Sequence, residues 1–161
     1  MSNEFDTLRK VLVGRAIAVA TELGMSDDIQ VPNGPPPMSA LPDSDASTAP
    51  PWINFWYKLG PNSQLAELGG PKALEITPGI LQFDILVPEK TGDGAAITLA
   101  NRIKKKINRK QWLIPPDGYV TLQPAGIVTN LPAKSGWYRV CVDCTFYFYH
   151  RDPDADPLQD F

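Results

Sequence analysis

The chain contains one histidine, His150, followed by Arg151, and one pair of cysteines, Cys141 and Cys144. Hydrolytic and redox sites are usually built from a base, a nucleophile or a metal, so these residues are weighed first. His150 ends an apolar segment and reads as a surface residue. No Ser/His/Asp set can be assembled around it, and no His, Cys or Asp cluster has the spacing of a metal site. Cys141-Val142-Asp143-Cys144 is literally a C-x-x-C. At a helix N-terminus that spacing makes a redox pair or half a zinc site. Here it lies within a segment of period two, where residues i and i+3 point to opposite faces. The two sulfurs should therefore diverge, and neither a disulfide nor zinc between them is expected. Gly92-Asp93-Gly94 precedes a helical pattern, as a phosphate cradle does. It lacks the Walker lysine and the G-x-G-x-x-G spacing, so it reads as a tight turn. The expectation is no catalytic residue, no cofactor and no metal.

Charge offers a second kind of chemistry. Between Ala95 and Lys110 the chain carries Arg102, Lys104, Lys105, Lys106, Arg109 and Lys110 with no acid. At 100° per residue, Arg102, Lys105, Lys106 and Arg109 share one helix face, and Lys104 points elsewhere. Three readings stay open: a solvated face, a surface for an acidic neighbouring subunit, or one for DNA phosphate. The net charge of −3 does not suit a general nucleic-acid binder, since such domains are usually basic.

Elements must position these residues. The spacing of Phe5, Leu8, Leu12, Ala16, Val19 and Leu23 predicts an amphipathic helix over about Asn3–Leu23, stopped by Gly24. Seven of the 17 prolines fall between Met25 and Pro51. Proline cannot donate to a helix or a ladder, so this segment is expected as a long arm, mobile in a free subunit and ordered on assembly. Trp52–Leu59 predicts a strand with Ile53, Phe55, Tyr57 and Leu59 on one side. A turn or bulge at Pro78-Gly79 is followed by a strand from Ile80 to Val87. A second helix is expected over about Ala95–Lys110, burying Ala96, Leu99, Ala100, Ile103 and Ile107, with Asp93 as its cap. Pro115-Pro116-Asp117-Gly118 is a turn. Tyr119–Gln123 is a short strand that Ile127-Val128 extends.

The strongest signal is Trp137–Tyr149. Tyr138, Val140, Val142, Cys144, Phe146 and Phe148 alternate with Trp137, Arg139, Cys141, Asp143, Thr145, Tyr147 and Tyr149. Such a strand belongs at the centre of a sheet. The expected fold is α+β: two layers, a mostly antiparallel sheet of about four strands with two helices on one face. One domain spans residues 1–151, with the proline-rich arm at 25–51 and an acidic flexible tail at 152–161. With 161 residues and 43% apolar composition, the chain can bury a core without metal or disulfide. The first residues lack the pattern of a secretion signal and no apolar run approaches a membrane span, so folding in the cytoplasm with free thiols is expected. Trp137, Tyr147 and Tyr149, with Trp52 and Trp56, fall on the sheet face the helices leave open. They are candidate subunit-interface residues, unless the proline-rich arm covers them.

The order of elements resembles the tail-terminator-like family of long-tailed bacteriophages. The likeness is carried by the N-terminal amphipathic helix and by Pro78-Gly79-Ile80-Leu81-Gln82-Phe83-Asp84-Ile85-Leu86-Val87-Pro88. The Gly92/Gly94 loop follows, with Ala96-Ile97-Thr98-Leu99-Ala100-Asn101-Arg102-Ile103 and the closing Gly136-Trp137-Tyr138-Arg139-Val140. It covers about two thirds of the chain. The resemblance implies a non-catalytic virion protein that assembles as a homo-oligomer, a hexameric ring. Such a ring caps the tail-tube protein, joins the head–tail connector or stopper protein, and allows DNA to pass. It would be made in the host cytoplasm and reside in the virion neck, with no membrane. A connector or stopper role in the same neck remains the alternative, followed by a nucleic-acid-binding module using helix 95–110.

Overall fold

The computed structural model describes residues 4–37, 49–61, 63–64, 74–89, 93–131 and 136–151. The acidic tail at 152–161, residues 38–48 of the arm and the Lys90–Gly92 part of the loop lie outside the described residues. Helix α1 spans Glu4–Glu22 and buries Leu8, Leu12, Ala16, Val19 and Ala20. It ends where the spacing says it should. Gly24 takes a φ of +72°, and the bonds Met25 N to Ala20 O (2.8 Å) and Gly24 N to Thr21 O (3.0 Å) make a Schellman cap. Helix α2 spans Asp93–Ile107 and buries Ala96, Ala100, Ile103 and Ile107.

The sheet contains β1 (Ile29–Gln30), β2 (Trp52–Leu59), β3 (Ser63–Gln64), β4 (Glu75–Pro88), β5 (Gln111–Ile114), β6 (Gly118–Leu122), β7 (Gly126–Leu131) and β8 (Trp137–His150). The hydrogen-bonded path is β1-β2-β4-β8-β6-β5, with β3 on β4 and β7 on β8. Every pairing is antiparallel except β1 with β2. Among the described residues the fold is α+β with two helices, but the expected sheet of about four strands is wrong. The sheet is a larger one, curled into a half-barrel. The reason is the length of its two central strands. β4 and β8 pair along 14 residues each, from Glu75↔His150 to Pro88↔Trp137. A strand of that length accepts two neighbours end to end. β6 pairs the C-terminal half of β8 and β7 its N-terminal half, while β2 and β3 divide the free edge of β4.

The expected turn at Pro78-Gly79 is also overturned, since β4 runs straight through it in register. Gly79 sits opposite Phe146, and a Cβ there would collide with the Phe146 ring. The glycine thus makes room for an aromatic ring packed on the backbone, a use of strand glycine that looks like a turn signal in sequence. Part of the arm is not an arm: Ile29–Gln30 forms an edge strand parallel to Ile53–Asn54.

One core cluster joins α1, α2 and one face of the sheet, including Phe55, Leu81, Phe83, Ile85, Val140, Val142, Phe146 and Phe148. Both helical stripes are buried in it, so the two helices share a face as expected. Cys144 belongs to this core, and Cys141, three residues earlier, lies on the opposite face of β8. Both thiols are free and buried. Burial, with the Asp84 and Asp143 charges, pushes the Cys141 thiol up to about 12. Burial likewise pushes Cys144 up to about 11, and its Sγ–H donates to the Gln123 carbonyl at 3.1 Å. Thiolates are the reactive form, so neither cysteine should react with a thiol reagent near neutral pH until the protein is unfolded. Titration with such a reagent, with and without denaturant, checks this. Raised pKa values also mean that the folded state holds a proton the unfolded state loses. That stability is intact below the ordinary thiol value of 9.0 and is lost as pH rises toward 11 to 12.

Candidate functional site

Three constellations emerge once the chain is folded. The first is cationic. Arg15, Ala18, Val19 and Glu22 of α1 face Lys105 and Lys106 of α2, Lys110 and Trp112 across a cleft of about 390 Å³. The Arg15 guanidinium lies 5.6 Å from the centre of the Trp112 ring, a cation–π distance. Lys106 contacts the Glu22 carboxylate. Four cations thus surround one carboxylate at the seam between the two helices.

This arrangement divides the basic stripe read from the sequence. Lys105 and Lys106 line the cleft, and Arg102 and Arg109 stand exposed outside it. Arg109 is not on the helix at all. α2 stops at Ile107, and Arg109 takes a φ of +55° in the turn that leads to β5. The helical projection over-extended the helix because Asn108 to Lys110 carry no apolar residue to mark its end. Arg15 and Lys110 join the cleft from sequence positions that the single-helix projection did not consider together.

The second constellation is the face of the sheet opposite the helices. Trp52 and Trp137 meet there edge to face, with ring centres 6.3 Å apart, and form a small buried cluster with Leu86. Within the single chain they are 6% and 8% exposed. Within this chain they pack on each other and against Ala49, a residue of the arm. Trp56, Tyr147 and Tyr149 remain half-buried. Tyr149 stacks on Tyr119 at 4.7 Å. Ile80 and Val128 are exposed at 45% and 40%.

A polar group lies in the middle of that face. Asp84, 6% exposed, accepts from Arg139 Nη2 at 3.0 Å, from Gln82 Nε2 at 2.6 Å and from Trp56 Nε1 at 3.4 Å. A buried carboxylate is tolerated when its lone pairs are satisfied in this way. Removing it leaves Arg139 without this partner at a partly buried position. Asp84→Ala should therefore cost about 1–3 kcal/mol, measurable as a lower urea midpoint at unchanged slope. Asp84→Asn, which keeps the shape, should cost less.

The third constellation was missed by sequence reasoning. His150 is 2% exposed and is not the surface residue its position beside Arg151 suggested. The ring stacks on Phe148 at 4.4 Å and meets the edge of Phe5 at 5.3 Å. Nε2 lies 2.9 Å from Thr77 Oγ1 of β4. Nδ1 lies 3.0 Å from Glu4 Oε1 of α1 and 3.7 Å from Glu75 Oε2 of β4. These are nitrogen and oxygen donors of the kind that hold a metal, all within 4.8 Å of one another. Their members are 71 and 75 positions apart in sequence, so no local spacing could have revealed them. The strand register brings two of them together: Glu75 pairs with His150 at the end of the β4–β8 ladder.

No protein-family model and no curated protein matches the chain. Among solved structures, one protein designated only by a sequence identifier superposes with a TM-score of 0.63 at 14% identity. The match covers 96% of this chain and 99% of that one. At that identity the likeness shows the fold.

Proposed function

We propose that this chain is a structural virion protein, a bacteriophage tail terminator that closes into a hexameric ring, caps the tail tube and receives the head connector. The resemblance of its element order to that family supplies the role. The observation that carries it is the two-sided sheet. One face is sealed by both helices. The other presents half-buried Trp56, Tyr119, Tyr147 and Tyr149 beside exposed Ile80 and Val128. Aromatic residues around a satisfied polar centre are the composition of a protein–protein contact. The cationic cleft adds a surface for an acidic neighbour at the seam between the helices.

Native mass measurement of the purified protein, together with images of tails, tests the reading. A closed ring at the head-proximal end of the tube is the expected result. A strict monomer in solution that is also missing from tails would overturn it. A ring on the head side of the neck would instead favour the connector or stopper role.

The cleft favours one reading from another class, a nucleic-acid-binding module. Phosphate contacts release counterions, so such binding must weaken steeply with salt. DNA affinity measured across a range of salt separates the two readings. Tight, strongly salt-dependent binding by the isolated chain supports the module, and weak binding supports the structural role.

A further inference from the structure

We propose that Glu4, Glu75 and His150 form a binding site for a divalent transition-metal ion of the zinc type. The site fastens the first turn of α1 to the end of the β4–β8 ladder. The case starts from the ring of His150. One nitrogen, Nε2, is engaged with Thr77 Oγ1 at 2.9 Å. A metal-ligating histidine characteristically donates its second ring N–H to a neighbouring oxygen, which fixes the tautomer and leaves the first nitrogen as the ligand. Nδ1 is then the free donor, and it faces two carboxylates.

The geometry at Nδ1 suits an ion better than a hydrogen bond. Glu4 Oε1 is only 3.0 Å away, yet the buried Nδ1 makes no hydrogen bond. With the ring proton on Nε2, Nδ1 and the Glu4 oxygen both present lone pairs, so neither can donate to the other. Glu75 Oε2 stands at 3.7 Å. Ligands held about 2.1 Å from one metal are themselves separated by roughly 3.0 Å in octahedral and 3.4 Å in tetrahedral arrangement. The two observed separations bracket those values. An ion placed among the three atoms would answer the buried nitrogen lone pair, with the two carboxylate oxygens completing its protein ligands.

One nitrogen with two carboxylate oxygens selects zinc or a similar borderline ion over magnesium or calcium, which prefer all-oxygen shells. Three protein ligands leave a position for water. The ring is closed in by Phe5 and Phe148, while the two glutamate side chains, 19% and 23% exposed, lie at the rim and give an ion its path in.

The chain's single histidine makes the test direct. Chelator-treated protein is titrated with zinc alone, and the imidazole nitrogen resonances are followed. Saturable uptake of one zinc per chain is expected, with a large shift at Nδ1, a small one at Nε2, and a rise in melting temperature. Glu75→Gln and Thr77→Val, which leave the histidine in place, should weaken zinc affinity by about tenfold or more. His150→Gln should abolish saturable uptake. If His150→Gln does not fold, the first two variants decide the matter. Three results would overturn the site: no saturable uptake by the wild-type chain, uptake that leaves the Nδ1 resonance unmoved, or affinity unchanged in Glu75→Gln. Magnesium titrated in parallel should leave the imidazole resonances where they are. An equal response to magnesium would overturn the assignment to a transition metal.

Discussion

Placing one methyl group at Gly79 is expected to destabilise this protein by about 2 kcal/mol or more. A Cβ at that position collides with the ring of Phe146 on the adjacent strand. Phe146 is fully buried in the main core, so its ring cannot move aside cheaply. Overpacking a filled core costs roughly 1–3 kcal/mol. Elsewhere in a strand, glycine to alanine would be favourable by about 0.5–1 kcal/mol through the unfolded chain, so the sign of the effect is itself diagnostic. Phe146→Ala should cost about 3–5 kcal/mol through the cavity it leaves. Because the two residues share one volume, their effects cannot add. In the Phe146→Ala background, Gly79→Ala should cost almost nothing. Urea unfolding of the four proteins in this cycle measures the coupling. Additive losses would mean that the ring does not occupy the space above Gly79.

Reversing charge in the cleft should leave the fold intact and impair the proposed assembly. Lys105 and Lys110 both line the cleft and are both exposed. Changing the pair to glutamate should therefore leave the melting temperature almost unchanged. Each exposed ion pair is worth only ~0–1 kcal/mol. Repeated around the proposed ring, even ~1 kcal/mol per subunit sums to more than the about 1.4 kcal/mol that makes a factor of ten. Under the proposed tail-terminator role, the expected result is more than a tenfold loss of joined heads and tails. The matching double reversal of Arg102 and Arg109, which lie outside the cleft, should have a smaller effect. Normal virions from the Lys105/Lys110 variant would leave those lysines as solvated side chains only. Equal losses from both pairs would point to the overall field of the α2 region rather than to the cleft.

The contrast between those pairs marks where sequence reading was sufficient. Arg102, Lys105, Lys106 and Arg109 can be placed on one helical face by projection alone. Projection cannot find Arg15 on another helix, nor the αL turn that carries Arg109 away from α2. The aromatic residues divide in the same way. Period two assigned Trp52, Trp56, Trp137, Tyr147 and Tyr149 to one face of the sheet, where they lie. Which of them stay accessible depended on neighbours: Trp52 and Trp137 bury each other, and Trp56 does not join them.

By itself the sequence determined both helices, the Gly24 stop, the strand at Trp52–Leu59 and the central position of β8. Each of these is written in a period of 3.6 or 2 long enough to exceed noise, or in a residue with a special φ. Only the tertiary structure decided the size of the sheet, the straight course of β4 through Pro78-Gly79 and the burial of His150. Two-residue strands such as Ile29–Gln30 have no period to read, and β5 at Gln111–Ile114 is only four residues long. A glycine that admits a ring from another strand carries the same letter as a glycine in a turn. His150 meets Glu4 and Glu75 because the β4–β8 register brings one carboxylate and the packing of α1 brings the other. Contacts between residues more than 70 positions apart are set by pairing and packing, which local residue patterns do not encode.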